Sequence, residues 1–321
     1  MAVNAPTVSP ERTGETGAAP AGRARPPVRS RPPARARPGD SPVWRRIRRT
    51  VGYLVLVGFA LIFIYPFVLS VVTSFKSLPD IAADPVTPWA GPRGWTLDGI
   101  RGLQRGSIRI PLWLLNSVVV TVCVVLGRLV LCSLAGYALA RMRFFGRTAV
   151  FALVVAVLAV PAIVLAIPRF IIMKELGILN TYAGLILPLM FDAFGIFLMK
   201  QFFEQLPAEL EEAAAIDGAS TVQVFWRVML PIAAPGLIAL TILSTQGTWN
   251  EFLHPLIAAP GDPDLRTLPV GLALLRGAFG EAQPWNTILA GAMITTVPMA
   301  VIFFVFQRYF VQGVAASALK D

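Results

Sequence analysis

Six apolar runs, each long enough to cross a membrane, restrict the folds open to this chain of 321 residues. A helical run of about 20 apolar residues matches the ~30 Å hydrocarbon layer of a bilayer. The apolar fraction is 55%, the charged fraction 14% and the mean hydropathy +0.67, which excludes an ordinary soluble domain. The sequence therefore predicts an all-α polytopic membrane protein with six transmembrane helices. The runs are residues 51–73, 112–140, 149–167, 182–203, 232–252 and 285–306.

The N-terminal segment differs from the rest in charge and in proline content. Residues 1–50 contain eleven Arg, three acidic residues and nine Pro, so they carry eight of the ten net positive charges. This composition predicts a disordered basic tail over residues 1–45, followed by a membrane domain over 46–321. Basic residues beside a first span favour a cytoplasmic N-terminus and attract anionic lipid, and the short basic turn 141–147 supports the same orientation. Six spans then place both termini in the cytoplasm.

Several features of the sequence argue against a catalytic or nucleic-acid-binding role. None of the four lysines follows a glycine, so the chain has no phosphate-binding loop of the Walker type. The single histidine, His254, has no companion at metal-ligand spacing, and we interpret it as a polar residue at a membrane boundary. The basic tail lacks the interleaved aromatic residues of a nucleic-acid arm. We therefore expect no catalytic residue, cofactor, metal or nucleic-acid partner.

A polar, alanine-rich insert at residues 206–231 separates the fourth and fifth runs. Pro207 near the first turn, acidic residues directly after it and Gly218 past the last turn predict a short helix. Ser220 then begins a second helix, with a glutamine at the spacing of a capping box, and we expect Pro231 to stop it. The sequence thus predicts a helix, a tight glycine turn and a second helix on the cytoplasmic side.

The second helix of the insert carries Phe225 and Trp226, which need a protein or lipid surface to cover them. One interpretation is that the insert folds back on its own helices, with these two side chains as anchors. The other is docking, in which rigid helices joined directly to two spans transmit a displacement from a soluble partner into the membrane. The residues alone leave both interpretations open.

The insert resembles the EAA motif of the permease subunits of ABC importers, and its place between the fourth and fifth of six spans is also that of the family. The family usually has isoleucine at the position of Val228. Residues 45–321 are similar to the carbohydrate branch, specifically the second permease of maltose-type systems. Stretches 177–188, 248–252 and 307–313 support this. The residues that carry the motif are Glu212, Ala213, Ala214, Gly218, Val228, Leu230 and Pro231.

The resemblance implies the type I importer permease fold, with the insert seated in a cleft of a separate ATPase subunit. It implies that Glu212 pairs with a basic residue of that subunit, that Gly218 sets the turn and that the C-terminal residues to Asp321 reach the ATPase pair. The implied partners are a second homologous permease, two cytoplasmic ATPase subunits, an extracytoplasmic solute-binding protein, a sugar and the lipid of a bacterial inner membrane. The implied coupling residues are Glu212, Ala213, Ala214, Asp217, Gly218, Phe225, Leu230 and Pro231.

Polar side chains within the runs suggest where a substrate passes, because such residues usually face the bundle interior or a watery path. The fifth run carries a polar stripe at helical spacing whose amide, carboxylate and indole groups suit sugar hydroxyls and sugar faces. The alternative is hydrogen bonding between helices. Asp192 and Arg128 are single ionisable residues within the predicted spans, and three interpretations of them stay open. They pair with each other, they line the path, or they lie near a membrane interface. The candidate pathway residues are Gln246, Thr248, Trp249, Asn250, Glu251 and Asp192.

The leading functional hypothesis is a permease subunit that forms part of the pathway for a sugar and couples ATPase closure to alternating access. A secondary transporter driven by an ion gradient is the alternative, but it predicts internal repeats and clustered carboxylates within the membrane, which the sequence does not clearly contain. A third hypothesis is a membrane scaffold whose basic tail recruits a partner.

Overall fold

The computed structural model describes residues 42–104, 108–278 and 284–318, with the backbone alone for residues 42, 45, 276–278 and 308–318. Every regular element in these ranges is helical, which confirms the all-α prediction. The predicted basic tail falls outside the described residues as far as residue 41, and the first helix begins at Pro42. The C-terminal stretch 307–313 falls within the last helix.

The described chain divides into two units, one that ends at Ala60 and one that begins at Leu61. Of the helices in the described ranges, three exceed 30 residues: α1 (Pro42–Ser74), α4 (Ile110–Arg141) and α15 (Trp285–Ala318). The shorter helices are α2 (Leu78–Ala83), α3 (Asp98–Gly102), α5 (Arg147–Leu158), α6 (Ala166–Glu175), α7 (Tyr182–Met190), α8 (Ala193–Glu204), α9 (Glu209–Ile216), α10 (Thr221–Val224), α11 (Leu230–Ile232), α12 (Ala234–Trp249), α13 (Leu253–Ala258) and α14 (Leu268–Ala278). A π-helical turn, Phe225–Met229, joins α10 to α11, and a 3-10 turn, Pro263–Leu265, precedes α14.

Within the described residues, four helices are long and apolar enough to cross a membrane, and a fifth span results if a bent pair is counted as one. The four are Arg46–Ser74, Ile110–Arg141, Tyr182–Glu204 and Trp285–Gln307. The bent pair, Thr221–Ile232 and Ala234–Trp249, turns by 75° at its break. The structure thus supports a polytopic membrane protein, whereas the predicted count of six spans is not confirmed.

The third apolar run, residues 149–167, does not form the continuous helix that the sequence predicted. Helix α5 ends at Leu158, and α6 begins only at Ala166. Pro161 lies shortly after the end of α5, and proline supplies no backbone N–H and disfavours helical geometry in the residue before it. The residues between α5 and α6 form tight turns, in which an N–H donates to the carbonyl three residues before it. One example is Val164 N to Pro161 O at 3.0 Å.

Helix α4 makes the most extensive contacts in the unit that begins at Leu61, first with α8 and then with α12 and α7. Small residues bring the α4 and α8 backbones together. A Cβ atom placed on Gly136 would lie 2.7 Å from Cβ of Met199 and 2.9 Å from the backbone nitrogen of Lys200. Because both obstacles belong to the α8 backbone or its first side-chain atom, only glycine fits at this crossing.

The first turns of α4 fix the segment that leads into α14. Trp113 donates from Nε1 to the carbonyl of Pro263 at 3.2 Å, and Asn116 donates to the carbonyls of Asp264 at 2.6 Å and Arg266 at 2.9 Å. These carbonyls lie in the 3-10 turn Pro263–Leu265 and at the residue after it, a segment too short to pair them within a helix. The Arg109 end of α4 is therefore tied to the α13–α14 connection.

We predict that Gly136→Ala lowers the stability of the purified chain in detergent by about 1–3 kcal/mol, because the added methyl group forces α4 and α8 apart. The measurement is the midpoint of thermal unfolding. Gly58→Ala is the matched control, since a Cβ atom on Gly58 has no neighbour within 4 Å. Equal midpoints for the two variants would contradict close packing at Gly136.

Candidate functional site

The insert, residues 206–231, begins with the helix and turn that the sequence predicted. Helix α9 runs over Glu209–Ile216 and is followed by Gly218 in the left-handed conformation, with φ of 82°. Ser220 caps α10 through a capping box, in which Ser220 N donates to Gln223 Oε1 at 2.8 Å. The predicted order of helix, glycine turn and helix is confirmed.

The second helix of the insert does not stop before Pro231, contrary to the sequence prediction. Helix α10 continues through the π-helical turn Phe225–Met229 into α11, which contains Pro231. Leu230 donates its backbone N–H to the carbonyl of Phe225, five residues back. We attribute the continuation to this wide turn, because a π-turn shifts the hydrogen-bond register by one residue just before the proline that lacks a donor.

One face of the insert is packed against the helices of the same chain. Phe225 is 3% exposed, and its ring centroid lies 5.1 Å from that of Tyr137 in α4 and 6.2 Å from that of Phe203 in α8. Val224 and Met229 join the same buried cluster. The insert therefore folds back through Phe225, whereas Trp226, the other predicted anchor, is 47% exposed.

The opposite face of the insert is open. Ile216 is 86% exposed and Val222 66% exposed, so the face combines apolar side chains with carboxylates. Among the predicted coupling residues, Ala214 and Leu230 are half-buried against the cluster around Phe225. Those that are exposed are Glu212, Ala213, Asp217, Gly218 and Pro231.

Arg141, the last residue of α4, contacts both elements that lead into the insert. Its Nε and Nη2 donate to the carbonyl of Phe203 at 3.1 and 2.7 Å, and Nη2 also donates to the carbonyl of Leu206. Its Nε lies 3.9 Å from Oε1 of Glu211 in the first turn of α9. The sequence identifies Arg141 only as a charge in a basic turn, because its partners lie more than 60 residues away along the chain.

A second charged cluster joins α4, α5 and α8 next to Arg141. Arg147, at the start of α5, donates to the carbonyl of Ala140 at 3.1 Å and lies 3.9 Å from Glu204. Lys200 binds the same Glu204 carboxylate at 2.6 Å. Arginine side chains of the basic turn thus bind neighbouring helices, in addition to any effect on orientation in the membrane.

The predicted pathway residues of α12 fall into two groups. Gln246 and Asn250 are exposed, and Asn250 donates from Nδ2 to the carbonyl of Gln246 at 2.9 Å. Glu251 is half-buried, and its Oε1 accepts the backbone N–H of His254 at 3.0 Å. These three side chains present amide and carboxylate groups at the end of α12.

Thr248 and Trp249 are buried instead. Trp249 is 3% exposed, packs in a cluster with Trp113 and Leu268, and donates from Nε1 to the carbonyl of Thr295 in α15 at 3.1 Å. This contact is a hydrogen bond between helices, the alternative that the sequence left open. Thr248 is 7% exposed, and its hydroxyl has no hydrogen-bond partner among the described residues.

Asp192 lies at a break in the predicted fourth span, where α7 ends and α8 begins. Its Oδ2 caps α8 by accepting the backbone N–H of Gly195 at 2.8 Å. Arg128 of α4 lies 3.9 Å from the same oxygen, and its Nε donates to the carbonyl of Leu189 at 2.8 Å. The structure thus brings Arg128 and Asp192 together, and the pair satisfies backbone groups that the break would leave without partners.

His254 is buried, with 1% exposure, and its Nε2 lies 3.0 Å from the carbonyl of Gly184. Burial is the main reason why the pKa of His254 is lowered, which favours the neutral imidazole. A neutral ring that donates from Nε2 fits this contact. Among the described residues no group of three or more His, Cys, Asp or Glu side chains is arranged to hold a metal ion.

Comparison with known proteins places this chain among transport proteins. Residues 132–316 match the family described as binding-protein-dependent transport system inner membrane component. The arabinooligosaccharides transport system permease protein AraQ of Halalkalibacterium halodurans is 34% identical over 279 residues, which cover 86% of this chain and 99% of AraQ. The trehalose/maltose transport system permease protein MalG of Thermococcus litoralis is 33% identical over 281 residues, covering 87% and 98% of the two chains.

A third relative and a solved structure agree with this assignment. The sn-glycerol-3-phosphate transport system permease protein UgpE of Yersinia pestis is 31% identical over 268 residues, covering 83% of this chain and 95% of UgpE. The crystal structure of a bacterial ABC transporter involved in the import of the acidic polysaccharide alginate contains a chain that superposes with a TM-score of 0.71 at 25% identity. The superposition covers 84% of this chain and 98% of that one.

Membership of a transport family is consistent with a chain that combines long apolar helices with a polar insert. The family acts in binding-protein-dependent ABC importers, which implies an ATPase and a binding protein as partners. It is a transport component rather than an enzyme, as the sequence predicted. This chain belongs to the family of binding-protein-dependent transport system inner membrane components, the permeases of ABC importers.

Proposed function

We propose that this chain is one of two homologous permease subunits of an ABC importer and that its substrate is a sugar or oligosaccharide. In this assembly an extracytoplasmic binding protein delivers the sugar and two cytoplasmic ATPase subunits drive transport. The names of two relatives refer to arabinooligosaccharides and to trehalose/maltose, and the solved structure concerns alginate, a polysaccharide. UgpE is named for sn-glycerol-3-phosphate, so a phosphorylated polyol is the second substrate class to test.

The observation that carries the coupling part of the proposal is the two-faced insert. Phe225 fixes one face to α4 and α8, while Ile216 and Val222 leave the other face open and partly apolar. An exposed apolar face beside acidic residues suits a complementary protein surface that carries basic side chains. Glu212, which is exposed, is the residue we assign to a basic partner group.

The mechanism follows from the rigidity of the insert. When the ATPase pair closes on ATP, each ATPase subunit displaces the insert that it holds. Because α9 follows α8 after a short turn and α11 precedes α12 directly, this displacement reaches both helices without an intervening flexible loop. The helices then shift relative to the second permease and open the pathway toward the binding protein. The insert faces the cytoplasm in this arrangement, as do both termini.

We propose further that the end of α12 contributes to the sugar pathway. Gln246 and Asn250 are exposed amides, and an amide both donates and accepts hydrogen bonds, as a sugar hydroxyl does. Glu251 and Asp192, both half-buried, extend the polar set. Thr248 and Trp249 are buried beside these residues, so they support the pathway wall rather than contact the sugar directly.

Gly218→Val tests the coupling role. The left-handed conformation costs a non-glycine residue about 1–2 kcal/mol, so a valine there distorts the turn between α9 and α10. We expect co-purification of the ATPase subunits from membranes to fall several-fold, as it should for Glu212→Ala. Membrane insertion is checked first for each variant.

Gly146→Val is the matched control for Gly218→Val. Gly146 has the same φ of 82°, and a Cβ atom placed on either glycine has no neighbour within 4 Å, but Gly146 lies in the α4–α5 turn. Retention of the ATPase by Gly146→Val and its loss from Gly218→Val would support the proposal. Failure of the unmodified chain to retain an ATPase would refute it.

Gln246→Ala tests the pathway residues. Loss of one hydrogen bond worth about 0.5–1.5 kcal/mol predicts a rise of roughly 2- to 10-fold in the KM for sugar uptake by the reconstituted importer. Thr245→Val is the control, because the hydroxyl of Thr245 already donates to the carbonyl of Thr241 at 2.7 Å. An unchanged KM for Gln246→Ala would remove this residue from the pathway.

A further inference from the structure

Arg141 lies at the end of α4, a helix that the proposed coupling through α8 and α12 does not include. It is the last residue of α4, and its side chain is 13% exposed although it carries a permanent charge. The insert is joined by the chain to α8 and α12, but α4 has no direct link to it along the chain. Arg141 supplies a non-covalent link.

The first part of this link is to the end of α8. The last carbonyls of a helix lack the N–H four residues on that pairs with interior carbonyls, and they carry the negative end of the helix dipole. The Phe203 carbonyl accepts the N–H of Leu206 at 3.3 Å in the turn after α8. Arg141 donates twice to the carbonyl of Phe203, at 3.1 and 2.7 Å, and once to the carbonyl of Leu206. Because Pro207 follows Leu206 and has no N–H, the local chain offers this region fewer backbone donors.

The second part of the link is to the insert itself. Glu211 lies in the first turn of α9, and its Oε1 is buried without a hydrogen-bond partner in the described part of the chain. The Nε of Arg141 lies 3.9 Å from this oxygen and supplies an opposite charge to a half-buried carboxylate, to which the Tyr137 hydroxyl also donates a hydrogen bond. A displacement of α9 therefore changes the environment of Arg141 directly.

Aromatic packing next to Arg141 restricts the motion of α4 relative to α8 and the insert. Tyr137, one turn before Arg141 on α4, packs edge-on against Phe203 at 5.5 Å between ring centroids and also contacts Phe225. These rings lie in the same buried cluster, which contains residues of α4, α8 and the insert. Close-packed side chains of this kind transmit small displacements rather than absorbing them.

From this geometry we infer that Arg141 is a positioning residue that makes α4 move together with the insert during transport. Displacement of the insert by the ATPase then reaches three transmembrane elements: α8 and α12 through the backbone, and α4 through Arg141. Because α4 also holds Arg128 at the break between α7 and α8, this motion extends to the region of Asp192. The inference rests on the proposed coupling function.

An arginine is required here for geometric reasons. Its planar guanidinium holds several donors in a fixed fork, so one side chain binds the Phe203 and Leu206 carbonyls and faces Glu211 at the same time. Lysine retains the charge but concentrates its donors on a single flexible nitrogen. Arg141→Lys therefore keeps the net charge, and with it any contribution to membrane orientation, while it weakens the three-way contact.

The experiment compares Arg141→Lys and Arg141→Gln with Arg143→Lys and Arg143→Gln in the complete importer, reconstituted with its binding protein. Arg143 lies two residues further along the same turn and is exposed, so its variants control for charge. The readout is sugar transported per ATP hydrolysed. A variant that only reduces the amount of folded complex lowers both rates together and leaves this ratio unchanged.

We expect both Arg141 variants to retain the ATPase subunits and the ratio to fall about tenfold in Arg141→Gln, with a smaller fall in Arg141→Lys. The Arg143 variants should keep the ratio of the unmodified importer. A normal ratio in both Arg141 variants would overturn the inference and leave the proposed function intact. Loss of ATPase association from the unmodified chain would instead overturn the proposed function and the inference with it.

Discussion

The packing of Phe225 against Tyr137 and Phe203 determines how the polar insert relates to the apolar helices. Without this contact the insert would be a surface loop, and a force applied to it would be lost in local motion. With it, residues of α4, α8 and the insert share one buried cluster. The two interpretations of the insert, folding back and docking, are therefore compatible: the inner face folds back, and the outer face is free to dock.

Helix α4 contacts neighbouring elements at both of its ends and near its middle. At its Arg109 end it holds carbonyls of the segment before α14, near its middle Arg128 binds the break between α7 and α8, and at its far end Arg141 binds the end of α8. The first two contacts satisfy carbonyls that lack a helical partner, and an unpaired carbonyl is costly away from water. The third adds side-chain donors to the Phe203 carbonyl, which also accepts the N–H of Leu206 at 3.3 Å. Because α4 makes all three contacts, it is well suited to link the proposed sugar pathway to the insert.

Local signals made much of this architecture predictable. The glycine turn at Gly218 and the capping box at Ser220 depend on neighbouring residues, and the structure contains both. The apolar runs predicted the long helices α1, α4 and α15 in the same way. The break after α5 does not follow from hydrophobicity, because the run 149–167 is apolar throughout and only Pro161 marks the end of the helix. The partners of Arg141 and Trp249 could not be found from the sequence, because the hydrogen bonds of these two side chains cross 46 to 65 residues and the Arg141–Glu211 ion pair crosses more. Which of Phe225 and Trp226 faces inward depends likewise on the phase of the π-helical turn.

Site-specific photo-crosslinking from Ile216 tests the central claim most directly, because this side chain is 86% exposed on the open face of the insert. The comparison is a crosslinker at Val86, which is 59% exposed in the connection between α2 and α3. The account predicts an adduct with an ATPase subunit from Ile216 and none from Val86. Absence of an ATPase adduct at Ile216, or equal adducts from the two positions, would contradict it.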